Sequence, residues 1–259
     1  MLLVIDAGNT NMVFGIYEKD ASLRTFRLMT DANRTSDEIG LLAVTYFQRF
    51  GLDPAQVEAV VIASVVPQIM YSLTSAMIKY FGKTPLIVGE DLNADLPCAV
   101  PNSGKERLGA DRSVACISAI EKYGTPLIVL DFGTATTVDA LDAQGRYLGG
   151  CITAGIRIST EALFHSASML PRVEIAMPDA VLSTTAVGQI QAGAVMGYVG
   201  SMEYLIRRAK EEMHCDSPIR VVATGGLARL IAENTDMIDL VDPQLILDGL
   251  RLLYLRHIS

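Results

Sequence analysis

Histidine and cysteine are scarce in this chain of 259 residues. The three histidines, His165, His214 and His257, include no pair one helical turn apart, so a zinc site is not expected. The four cysteines, Cys98, Cys116, Cys151 and Cys215, include no Cys-x-x-Cys, and their number excludes a disulfide-rich scaffold. Long apolar runs are missing too, since none approaches the ~18 residues that suggest a membrane span. Positive charge is in deficit: 21 Lys and Arg face 29 Asp and Glu, for a net charge of −8. Nothing in that balance neutralises a phosphate backbone, which disfavours a nucleic-acid partner. A single bound nucleotide remains open, because a few local amides and a metal suffice to hold it. The start, Met1-Leu2-Leu3-Val4-Ile5-Asp6, has no basic leader and reads as a strand rather than a signal peptide. The expectation is a soluble cytoplasmic protein with no membrane partner.

Half of the residues are hydrophobic and 19% are charged, ample for a buried core. Leu2–Ile5 and Met12–Tyr17 are apolar runs separated by Asp6-Ala7-Gly8-Asn9-Thr10-Asn11, the pattern of a β-hairpin with a polar tip, and Leu23–Met29 is a third strand. Apolar residues recur at three and four from Ser36 to Phe50, predicting a helix closed by Gly51. A buried strand over Val57–Val66, a helix over Ile69–Phe81 and a short strand over Pro85–Val88 follow. Residues 90–107 have no period and read as a long loop, and loops of that length are often functional. Beyond a helix over 111–123, the run Pro126–Leu130 leads into Asp131-Phe132-Gly133-Thr134-Ala135-Thr136-Thr137. This repeats the start of the chain: Val4, Asp6, Gly8 and Val13 match Val129, Asp131, Gly133 and Val138. Two copies of one hairpin-led α/β domain are expected, 1–115 and 116–259. The second copy holds a strand over Tyr147–Thr153, a helix near Ile156–Phe164 and a long helix over Val187–Met213. It ends with a strand over Ile219–Ala223 and a last helix capped by Asp242 with Pro243 behind it.

Asp-x-Gly at the tip of a buried strand supplies what a nucleotide phosphate needs. Glycine lets the main chain approach, exposed N–H groups and hydroxyls donate, and the carboxylate holds a cation against the phosphate oxygens. One such turn is also an ordinary Asx turn; two in register, with Gly225-Gly226 after a third strand, favour phosphate binding. Gly109-Ala110-Asp111-Arg112 opens a helix, and its Asp is either a cap or a base beside an arginine that holds an anionic substrate. Arg34-Thr35-Ser36-Asp37-Glu38 is either a capped helix start or a ligand contact through Arg34. No P-loop occurs, since Lys105 is followed by Glu106, and no Gly-x-Ser-x-Gly occurs.

The segments Asp6–Asn11, Arg34-Thr35-x-Asp37-Glu38, Ser64-Val65-Val66-Pro67, Gly109–Arg112, Asp131–Thr136 and Thr224-Gly225-Gly226 together resemble the type III pantothenate kinases, in order and over most of the chain. The resemblance implies two ribonuclease-H-like domains of the actin and sugar-kinase type, α/β with mixed sheets flanked by helices. It implies ATP-dependent phosphorylation of pantothenate, the first step toward coenzyme A, by a homodimer that needs magnesium and a monovalent cation, potassium or ammonium. It makes Asp6, Ala7, Gly8, Asn9, Thr10, Asn11, Met12 and Val13 the first phosphate segment, with Asp6 near magnesium through water. Gly133 and Thr134 become ATP contacts and Asp131 the monovalent-cation ligand. Gly109, Ala110, Asp111 and Arg112 become the pantothenate segment, with Asp111 as general base. Thr185 stands beside Ala186, where relatives place a substrate-contacting Thr. Asn102 and Lys105 stand where relatives carry Tyr and Pro, and Ala154 replaces a Pro. The small residues Gly193, Ala194, Gly197, Gly200 and Ser201 crowd the long helix, which is either an ordinary core helix or, as the resemblance implies, the dimer contact. The alternatives are a kinase of the same fold for another small hydroxyl compound, and a nucleotide-binding regulator without turnover.

Overall fold

A computed structural model describes residues 1–98 and 108–259; Asn102 and Lys105 lie outside them. The chain runs β1 (Leu2–Ala7), β2 (Asn11–Tyr17), β3 (Leu23–Met29), α1 (Ser36–Arg49), β4 (Ala59–Ser64), α2 (Pro67–Phe81), β5 (Leu86–Ile87), α3 (Ala110–Tyr123), β6 (Leu127–Phe132), β7 (Ala135–Leu141) and β8 (Tyr147–Ala154). It continues with α4 (Ile156–Ser166), α5 (Ala186–Gln191), α6 (Gly197–Glu212), β9 (Arg220–Thr224), α7 (Ala228–Ala232), β10 (Leu240–Val241) and α8 (Leu245–Ile258). No helix among the described residues is long and apolar enough to cross a membrane.

Two compact units emerge, and their boundary differs from the one expected near residue 115. The first holds Met1–Asp95, Lys105–Ser118 and Leu245–Ser259; the second holds Leu96–Gly104 and Ala119–Gln244. The last helix therefore belongs to the first unit. Its sequence neighbours gave no sign of this, because an apolar helix face does not name the sheet it will cover.

In the first unit the sheet order is β3-β2-β1-β4-β5, with β1, β2 and β3 antiparallel and β4 and β5 parallel to β1. Alternation along the strands divides the faces. Leu3, Ile5 and Ala7 of β1 join Phe14 and Ile16 of β2 against Ile39, Ala43 and Phe47 of α1 and Leu73 and Met77 of α2, all fully buried. Each of the Leu, Ile, Phe and Met side chains contributes roughly 1.5–3 kcal/mol on burial. Helix α1 starts at a capping box: the Glu38 N–H donates to Thr35 Oγ1 at 3.3 Å and the Thr35 N–H donates to Glu38 Oε2 at 2.7 Å. The box bears out the capped-helix-start reading of this segment. On the other face α8 packs against β1 and β4. The Tyr17 hydroxyl donates to Asp248, and the Arg251 guanidinium lies 5.1 Å from the Tyr17 ring centroid.

The second unit repeats this topology as β8-β7-β6-β9-β10, again with three antiparallel strands and two parallel to the central one. Ile128, Leu130 and Phe132 of β6 meet Val138 and Ala140 of β7, Val221 and Ala223 of β9, and Val199, Met202 and Ile206 of α6. Two expectations change here. The helix expected over Val187–Met213 is interrupted by a π-helical turn at Ala192–Met196 between α5 and α6. The turn accommodates an extra residue and keeps Ile190, Val195, Val199 and Met202 on the core side. Asp242 does not cap the last helix, which starts at Leu245. Its carboxylate instead accepts from the Gln244 N–H at 3.0 Å, from the Tyr123 hydroxyl at 2.7 Å and from Lys122.

Candidate active site

In the first unit the candidate phosphate segment is the tip of the β1–β2 hairpin. The Gly8 N–H donates to Asn11 O at 3.1 Å and closes the turn. Thr30, the residue after β3, braces it, donating from Oγ1 to Gly8 O at 2.7 Å and from its N–H to Thr10 O at 2.9 Å. Asn9, Thr10 and Asn11 are exposed at the tip, and Asp6, Gly8 and Val13 are half-buried. Ala7 and Met12 are fully buried in the core, so their side chains pack and only their main chain is available to a ligand.

The candidate substrate segment lies at the same edge of that sheet. The Val65 N–H donates to Ala7 O at 3.2 Å, so the chain leaving β4 runs beside the hairpin tip. Gly109 in turn sits against Val65. Helix α3 thus starts at the carboxyl ends of β1 and β4, where open α/β sheets bind ligands. Ala110 is its first residue, and Gly109 O accepts from the Ser113 N–H at 3.0 Å. Asp111 stands in the first turn rather than at the cap, and its Oδ1 accepts from the Arg112 N–H at 2.8 Å. A carboxylate there is favoured by the positive end of the helix.

In the second unit Asp131, Gly133 and Thr134 come together at the carboxyl end of β6. The Gly133 N–H donates to Ala135 O at 3.2 Å. Gly133 and Thr134 are exposed and Asp131 is half-buried. Gly155 and Gly225, both distant from this tip in sequence, hold it. The Gly155 N–H donates to Thr134 O at 3.1 Å, and a Cβ on Gly155 would lie 2.4 Å from that oxygen and 2.6 Å from Gly133 O. Gly225, at φ +93°, passes so close to β6 that a Cβ would lie 2.5 Å from Asp131 Oδ1 and 2.7 Å from Phe132 N. Only glycine permits either approach. Among the described residues Thr185 shares no hydrogen bond with this group: it caps α5 by accepting from the Gly188 N–H at 3.2 Å, and its hydrogen bonds stay within 183–189.

The same sheet order in both units, each led by a hairpin with an Asp at its tip, defines the two-domain fold of the actin and sugar-kinase class. Among solved structures, a protein from Sinorhizobium meliloti described as a 2-dehydro-3-deoxygalactonokinase matches with a TM-score of 0.56 at 13% identity, over 98% of this chain and 96% of that one. A protein from Campylobacter jejuni described as a Baf family transcriptional activator matches with a TM-score of 0.59 at 20% identity, over 99% and 98%. The model of the type III pantothenate kinase family matches residues 2–208. Proteins named type III pantothenate kinase from Listeria monocytogenes serotype 4a and Exiguobacterium sibiricum are 46% and 44% identical over 257 residues. Those matches span 99% of this chain and 98% and 100% of the relatives. The chain belongs to the type III pantothenate kinase family, and it is a kinase.

Proposed function

We propose that this enzyme phosphorylates the primary hydroxyl of pantothenate with ATP, the first step toward coenzyme A. Family membership over nearly the whole chain carries this reading. Asp111 accepts the hydroxyl proton as the new bond forms, and the loose phosphoryl transition state asks for only late proton removal. Arg112 pairs with the pantothenate carboxylate, a task suited to its planar fork of donors. Asn9–Asn11 of the first unit and Gly133–Thr134 of the second are each exposed, and each tip offers main-chain N–H groups and hydroxyls suited to a phosphate.

Cations fit these residues in a particular way. No group of three His, Cys, Asp or Glu able to hold a metal occurs among the described residues. A cation here is held by one carboxylate supplemented by neutral oxygens, or through its water shell. Asp6 suits water-mediated magnesium and Asp131 a monovalent cation, potassium or ammonium. Their positive charge stabilises the phosphoryl oxygens. Asp111 and Arg112 position the substrate.

The enzyme acts in the cytoplasm as a homodimer. Along the long helix Met202 and Ile206 are buried, whereas Gly193, Gly197, Gly200 and Ser201 are exposed. Val181, Leu182 and Val187 are exposed nearby in sequence. Small exposed residues on a helix allow a partner's backbone to come close. A Cβ on Gly197 would meet nothing within 4 Å, so Gly197→Leu leaves the fold of one chain intact. Light scattering should show monomers, with turnover lost; a Gly197→Leu dimer with normal turnover overturns the assignment of this helix face. The function itself is tested by ADP release with and without pantothenate. Pantothenate-dependent release is expected, whereas release with a different hydroxyl compound alone, or nucleotide binding without turnover, overturns it.

A further inference from the structure

Thr136 and Thr137 are adjacent on β7 and point to opposite faces of the sheet. Thr136 faces the core, and its hydroxyl accepts from the hydroxyl of Tyr198 on α6. Thr137 faces the other way. Its Oγ1 is buried and has no hydrogen-bond partner among the described residues. Leaving a buried hydroxyl unsatisfied costs about 1–3 kcal/mol, and valine would fill the same space in a β-strand without that cost.

The strand register says what the hydroxyl faces. Thr137 is the direct cross-strand partner of Asp131 on β7, and Thr224 is its partner on β9. Directly paired residues share a face of the sheet. The row Thr137–Asp131–Thr224 therefore places a carboxylate between two hydroxyl-bearing residues. Gly225, immediately after Thr224, closes over the carboxylate from the end of the row. In the first unit the corresponding row is Val13–Asp6–Ala63, which offers one carboxylate and no side-chain oxygen from either flank.

We propose that the Thr137 hydroxyl is an inner ligand of the monovalent cation at Asp131, an assignment that rests on the cation reading above. Alkali cations are hard and are held by several oxygens. A singly charged ion is balanced by one carboxylate, and the remaining ligands must then be neutral. Thr137 Oγ1 has both lone pairs to offer and sits on the flank of that carboxylate.

Thallium(I), a potassium mimic with its own NMR signal, reads binding directly in the full chain with magnesium and ADP present. Wild type should bind it, Asp131→Asn should not, and Thr137→Val should bind it at least about tenfold more weakly. Thr137→Ser, which keeps the hydroxyl, should stay near wild type. Without monovalent cation Thr137→Val should melt no lower than wild type, and it should gain less from added potassium. Wild-type affinity in Thr137→Val alongside loss in Asp131→Asn overturns the Thr137 assignment alone. Absence of thallium binding by wild type overturns the cation reading on which it rests. Equal loss in Thr137→Ser and Thr137→Val shows that the hydroxyl is not the ligand.

Discussion

The two hairpin tips share a motif and differ in how they are built. Asp6-x-Gly8 and Asp131-x-Gly133 both end a buried central strand, but the first turn runs from Ala7 to its partner Met12 and the second from Phe132 to its partner Thr136. The first turn is one residue longer. That residue moves the returning strand by one position, and a one-residue shift changes which side chain faces the aspartate. Asp6 faces Val13, whereas Asp131 faces Thr137. The bracing differs as well: a threonine side chain holds the first tip and a glycine main chain holds the second. The lesson is that a repeated motif fixes where a carboxylate stands, while the length of the turn beside it sets the chemistry around it.

The largest expected effect tests what the first unit alone possesses, the Gly109–Arg112 segment. Asp111→Asn keeps the shape and removes the base, and kcat should fall roughly 10²–10⁴-fold with nucleotide binding retained. Wild-type turnover in the purified variant would remove Asp111 from the chemistry. The difference between the aspartates is tested next. Asp131→Asn should abolish stimulation by potassium or ammonium, whereas Asp6→Asn should keep the stimulation and lose turnover by weakening magnesium-dependent binding. Reversal of these outcomes in a cation titration would exchange the two roles.

The braces come third. Gly155→Ala drives a Cβ into main-chain oxygens of the second tip, and denaturant unfolding should show a loss of roughly 1–3 kcal/mol. Thr30→Val removes one hydrogen bond from the first tip and should cost about 1 kcal/mol. Equal costs would mean that the two tips are braced alike. A further effect depends on pH and concerns the second unit. Burial by itself raises the Asp242 carboxyl, but hydrogen bonds from Lys122, Tyr123 and the Gln244 N–H outweigh it, and the group is held below the usual carboxylate range. A lowered carboxyl stabilises the fold above its unfolded value, and that contribution is lost as pH falls through the folded one. Asp242→Asn should therefore destabilise by ~1–3 kcal/mol at neutral pH. The gap to wild type should close below about pH 4. A constant gap from pH 7 to pH 3 in thermal melts would deny Asp242 this role.

Much of the fold was legible because its signals are local. Thr35 and Glu38 at capping-box spacing mark the start of α1, and alternation in Leu2–Ala7 marks a strand whatever it pairs with. The motif residues were legible for the same reason: Asp6, Gly8, Asp131 and Gly133 announce a tip in a few letters. The repeat itself was matched one residue out of step at its far end, where Val13 was set against Val138 although its structural counterpart is Thr137. Val13 and Val138 share a residue type without sharing a position in the sheet, and nothing in a linear alignment carries the length of a turn.

Composition and short-range pattern determined the class of this protein: an acidic two-domain α/β chain with Asp-x-Gly tips on buried strands, recognisable as a kinase family by the order of its motifs. Tertiary structure decided three further matters. It assigned α8 to the first unit, brought Gly155 and Gly225 onto the second tip, and set Thr137 beside Asp131. Each depends on residues distant in sequence or on a register that only pairing fixes. Hydrophobic burial is non-directional, so the sequence states that a face will be covered, and the packed chain states by what.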